Sequence, residues 1–136
     1  MKKQLQNKRG KVYYTIEYDP ANHWNYSNWL GFVSIEEVIA GCEEGLELII
    51  ANGCPSLLND NRQISGPWSG ANEWIVQSWM PRALEAGLKR FAHIVSPNVF
   101  SALSAQQLVS RVEDLGFEMR IFEDQPSAEA WLKEGC

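Results

Sequence analysis

From Lys11 to Tyr18 the side chains alternate, with Val12, Tyr14, Ile16 and Tyr18 on one side and Tyr13, Thr15 and Glu17 on the other. This is the period-two pattern of a strand with one buried face. Asp19-Pro20-Ala21-Asn22 supplies turn chemistry, and an aromatic-rich run from His23 to Phe32 returns as the second strand of an antiparallel hairpin. The period then changes. Ser34-Ile35-Glu36-Glu37 has capping-box spacing, and Ile35, Val38, Ile39, Cys42, Leu46, Ile49 and Ile50 follow three and four apart until Asn52-Gly53 offers a left-handed stop. Ser56 to Asn59 reads as a third, central strand ending in Asp60-Asn61-Arg62, with a polar loop from Gln63 to Gly70.

Ala71 to Ala86 carries Trp74, Ile75, Trp79, Ala83 and Leu84 at helical spacing, but Pro81 lies inside it. Proline lacks an amide donor, so the helix either kinks or divides near Met80. Phe91 to Val95 is apolar enough for a strand covered on both faces. Ser104-Ala105-Gln106-Gln107 repeats the capping-box spacing, which starts the next helix at Ser104. Glu118 to Phe122 forms the fifth strand, and Asp124 to Glu134 a closing helix with Pro126 in its first turn. The order ββαβαβαβα predicts an α/β fold in which an N-terminal antiparallel hairpin leads into largely parallel strands with packing helices. Residues 11–134 form one domain on this reading, after a flexible segment over residues 1–10.

Composition narrows the function classes. The 136 residues suffice for a core without staples, and the longest apolar stretches are too short to cross a bilayer. Lys2, Lys3, Lys8 and Arg9 lead into no apolar run, so no secretory signal is expected and the protein is placed in the cytoplasm, with no stable membrane insertion. A net charge of -5 argues against nucleic acid. Cys42, Cys54 and Cys136 are read as reduced thiols, and neither they nor His23 and His93 show metal-ligand spacing, so no metal or cofactor is expected.

No catalytic motif occurs. Asp60 and Arg62 leave the carboxyl end of a central strand, where open α/β sheets collect ligands. They make either a polar site or an ion pair that braces the loop. His93, in mid-strand, reads as buried and hydrogen-bonded. Among six tryptophans, Trp79 is assigned to the core, whereas Trp68, beside Pro67 and close to glycines, is the candidate interface anchor and Trp74 a second binding candidate. Ser65 and Ser69 stand ahead of a helix start, where a serine serves as a cap or a phosphate is stabilised.

The hairpin and first helix, then Leu57-Leu58-Asn59-Asp60-Asn61-Arg62, Glu73-Trp74-Ile75, Trp79-Met80-Pro81-Arg82-Ala83 and the strand Phe91 to Val95 together resemble the STAS/SEC14-like family, similar in fold to bacterial anti-sigma-factor antagonists. That resemblance implies a STAS-like sheet with packed helices and no established chemistry. It also implies a partner switch through a phosphorylated serine, for which Ser69 is the nearest match and Ser65 the second. The loop departs from the family pattern, since Asn-Arg-Gln-Ile-Ser-Gly replaces the usual Asp-Ser-Ser-Gly-like block. The lipid-transfer relatives imply an apolar pocket instead. The leading expectation is a non-enzymatic regulatory or protein-interaction module, whose partner is another protein or a second copy of the chain. A small apolar-ligand or lipid binder is the alternative, and an enzyme without a textual motif is the third class.

Overall fold

The computed structural model describes residues 2–112, 115–116 and 118–134; Cys136 lies outside them. The fold is α/β, and the described residues form six strands in sequential order across one mixed sheet. They are β1 (Lys2–Gln6), β2 (Val12–Asp19), β3 (Trp24–Gly31), β4 (Ser56–Ile64), β5 (Arg90–Ile94) and β6 (Glu118–Phe122). β2 runs antiparallel to both neighbours, and β3 to β6 are parallel.

The predicted hairpin is β2–β3. Asp19 shapes its turn by accepting from the amides of Ala21 and Asn22, and His23 completes it with φ of 56°. The first residues correct the sequence reading: residues 2–6 are not a loose lead but the edge strand β1. Apolar periodicity is nearly absent there because an edge strand half in solvent needs little. Lys3 ties this edge to the neighbouring helix, meeting Glu44 at 3.0 Å and Glu47 at 2.7 Å.

Helix α1 (Ile35–Asn52) forms as its sequence dictates. Ser34 and Glu37 make the reciprocal capping box, and Gly53, with φ of 58°, returns its amide to the Ile49 carbonyl. Gly41 and Gly45 let the helix settle closely on the sheet, where a Cβ at Gly41 would stand 2.3 Å from the Trp29 ring. β4 extends to Ile64, two residues into the loop expected from Gln63. It lies between β3 and β5, with Leu57 and Leu58 buried as an interior strand requires.

After β4 the chain makes a 3-10 turn (Ser69–Ala71), one α turn α2 (Asn72–Trp74), a π turn (Ile75–Trp79) and α3 (Met80–Glu85). Pro81 thus follows a widened turn, in which Met80 donates to the carbonyl of Ile75. The expected irregularity at this proline takes the form of a π insertion, which shifts the carbonyls by one residue.

α4 (Val99–Val112) begins five residues ahead of the predicted start. Asn98 is the cap, its Oδ1 accepting from the amides of Phe100 and Ser101. Ser104 is buried in mid-helix, and its hydroxyl donates to the Phe100 carbonyl. α5 (Gln125–Glu134) starts where expected, with Asp124 accepting from the Ser127 amide.

The core has two layers. Side chains such as Leu57, Phe91, Trp29 and Ile16 pack with α1, α3 and α4 on one face. Their neighbours Trp24, Leu58, Ala92 and Ile94 pack with Ala128, Trp131 and Leu132 of α5 on the other. The alternation of β4 and β5 therefore feeds both layers, as the continuous apolar run in β5 implies. No helix among the described residues is long and apolar enough to cross a membrane.

Candidate functional site

β4 sends Asp60 and Arg62 to the α5 face and Asn59 and Asn61 to the opposite one. Asp60 is buried and its carboxylate is saturated with donors. Oδ1 accepts from the Arg62 amide and Nε, both at 3.0 Å; Oδ2 accepts from Tyr26 Oη at 2.6 Å and Arg62 Nη2 at 2.7 Å. Arg62 Nη2 also donates to Gln125 Oε1 at 2.9 Å. Burial disfavours the Asp60 charge, but the bonds from Arg62 and Tyr26 prevail and hold its carboxyl below the usual range. Burial, then the Asp60 bond, pushes the Tyr26 phenol up to about 12. Of the two sequence readings this is the brace, tying the end of β4 to the first turn of α5.

Trp68 is not the exposed anchor that its setting suggested. It is buried, its Nε1 donating to Ser101 Oγ and its amide to Ser104 Oγ, both at 3.1 Å. A glycine-rich loop can fold back as easily as protrude, and here the two α4 serines give the indole and its amide the partners that burial demands. Trp74 is half-buried, with the Arg82 guanidinium 5.9 Å from its ring centre. Trp79 is a core residue, donating to the Cys42 carbonyl at 2.8 Å. Ser65 is exposed and Ser69 half-buried at the start of the 3-10 turn.

Beneath the helical layer runs a buried polar chain. Asn59 Oδ1 accepts from Ser27 Oγ at 2.6 Å and from Trp29 Nε1 at 2.9 Å. An indole nitrogen only donates, so the amide orientation of Asn59 is determined and its Nδ2 must donate to Asn61 Oδ1 and His93 Nδ1, at 3.2 and 3.1 Å. His93 Nδ1 is thereby the acceptor, and the ring proton sits on Nε2. Burial lowers the His93 pKa to about 4, with Asp60 opposing, so the ring is neutral at pH 7. These residues border an internal cavity of about 60 Å³, otherwise walled mainly by apolar side chains such as Trp29, Ile75, Trp79 and Leu108. That is far below the roughly 300–1,000 Å³ of usual ligand pockets and leaves no room there for a lipid chain.

The surface most in need of explanation was missed at the sequence level. Phe32, Ile35, Val99, Phe100 and Leu103 are large and apolar, yet 70, 47, 74, 63 and 50% exposed. Ile35 belongs to the three-four apolar series of α1, which periodicity alone turns inward. Two of these groups meet at the loop after β4. The Ser65 amide donates to the Gly31 carbonyl beside Phe32, and the Ser65 carbonyl accepts from Asn98 Nδ2 beside Val99. Phe32 lies over Gly66 and Ile35 over Gly70, within 3 Å of where a Cβ would stand. The only signal in the sequence was apolar residues just past a strand end and just after Pro97, which periodicity assigns inward. No protein-family model and no curated protein matches this chain.

Proposed function

We propose that this chain is a non-enzymatic interaction module of the STAS-like type, which docks a protein partner on the face around Ser65. The observation that supports the reading is the exposure of Phe32, Ile35, Val99, Phe100 and Leu103 at the carboxyl end of the parallel strands. Apolar patches rimmed by polar groups mark contact surfaces, and aromatic side chains contribute most where they become fully desolvated. The acid-base candidates of the sequence favour binding over catalysis: Asp60 is occupied by Arg62 and Tyr26, and His93 is buried.

Recognition passes from Trp68, which is structural, to Phe32 and Phe100. Ser65 is the better placed of the two serines for regulation, since phosphate there adds nearly two negative charges between the apolar groups and opposes docking. The test compares wild type with Phe32→Ser and Phe100→Ser, each checked by its melting curve, in affinity capture and in sedimentation. Both variants retain stability to within about half a kcal/mol, as exposed positions do, and lose the captured partner or the self-association. Unchanged capture and sedimentation in both would remove this face from consideration.

A further inference from the structure

The inner cavity is a separate feature from the docking face, and either stands without the other. Its wall is largely apolar, with Ser27, Asn59, Asn61 and His93 meeting at one corner and the Tyr14 hydroxyl and Cys42 thiol the other polar groups on it. In that corner Asn59 uses its donors on Asn61 and His93, while its acceptor is taken by Ser27 and Trp29. His93, 1% exposed, is left with Nε2 and no hydrogen-bond partner for it. The network directs the ring proton to that nitrogen, which makes it the corner's one fully buried side-chain donor without a partner among the described residues. A buried unmet donor is costly, and protein structures seldom retain one without a water or a ligand.

We propose that the cavity binds a small neutral molecule carrying one carbonyl-type acceptor on a short apolar body, with the acceptor on His93 Nε2–H. The size follows from the volume: 60 Å³ is about four to six times what one water needs, which suits a body of roughly four to six non-hydrogen atoms. Neutrality follows from the wall, which contains no Lys, Arg, Asp or Glu. The Cys42 thiol, pushed up to about 12 chiefly by burial, carries no charge there either. Water satisfies the donor but wets the facing Trp29, Ile75, Trp79 and Leu108 surfaces without partners, whereas a short ketone serves both.

Butanone and 2-methyl-1-butene, which differ only by C=O against C=CH2, are titrated into the protein and followed by NMR at the His93 ring and at the Trp29 and Trp68 indoles. Butanone gives saturable shifts with millimolar affinity and moves the His93 Nε2–H resonance downfield, which the alkene does not. His93→Phe weakens butanone by roughly threefold to tenfold, the worth of one net hydrogen bond, and leaves the alkene unchanged. Val38→Leu fills the space and abolishes both, and together with the Nε2–H shift it decides the matter if His93→Phe does not fold. The proposal is overturned if butanone gives no saturable shift. It is equally overturned if His93→Phe weakens both probes alike, or if water alone shows contacts to Nε2–H and butanone does not displace it.

Discussion

His93 shows how one buried side chain carries a condition on the whole protein. Unfolded, its imidazole titrates near 6.5; folded, burial lowers that to about 4. Because the folded value is depressed, the neutral ring stabilises the fold above pH 6.5, and that contribution is lost as pH falls through 4, where both states are protonated. The gap corresponds to about 3 kcal/mol. Urea denaturation across this window should show stability falling with acid more steeply in wild type than in His93→Gln, the difference isolating the histidine from the carboxylates. Parallel curves would mean that the ring charges freely in the native state. Trp68 carries a second residue-scale prediction. Trp68→Ala removes a buried indole and leaves the Ser101 hydroxyl without its Nε1–H donor, while the backbone amide still meets Ser104, so a loss of about 3–5 kcal/mol is expected. A loss under about half a kcal/mol in the same measurement would place the ring outside the core.

Among the elements, α1 and α4 make an instructive pair because both carry Ser-x-x-Glu/Gln spacing. In α1 the box forms, with Ser34 Oγ 3.1 Å from the Glu37 amide and Glu37 Oε1 2.8 Å from the Ser34 amide. In α4 the same spelling is used inside the helix, where Ser104 meets Trp68 and Asn98 does the capping. Local sequence offers both caps, and the packing of Trp68 selects between them. α1 also depends on closeness. Gly41→Ala would gain about 1 kcal/mol of helix propensity in isolation, but its methyl would fall on Trp29, whose ring is fixed by Tyr14 at 4.3 Å and by Asn59. We expect a net destabilisation of about 1–3 kcal/mol, as for other overpacked positions, measured by chemical denaturation. A more stable variant would show that α1 can lift off the sheet at little cost.

For the molecule as a whole, the sheet edges matter most. β1 covers β2, and its Lys3 reaches Glu44 and Glu47 on α1. Removing residues 1–10 exposes the backbone of β2 as a long edge beside Tyr14 and Ile16. Such a protein should be less stable by about 2 kcal/mol and should self-associate in sedimentation, because unpaired strands template pairing. A monomer of unchanged stability would return this segment to the loose lead suggested by its polar sequence.

The α/β class, the β2–β3 hairpin, α1 with both caps, β5, β6 and α5 were determined by the sequence alone. Each is specified by neighbours a few residues apart: alternation in a strand, three-four spacing in a helix, and caps that satisfy the chain's own amides. The tertiary structure decided the rest. β1 exists because β2 offers it an edge; Asp60 and Arg62 are a brace because Tyr26 and Gln125 arrive from distant elements; Trp68 is inside because two serines of α4 meet it. The exposed apolar face and the unmet donor of His93 are likewise products of packing. Periodicity reports that a side chain is apolar or polar, but only the meeting of distant segments determines whether its partner is supplied.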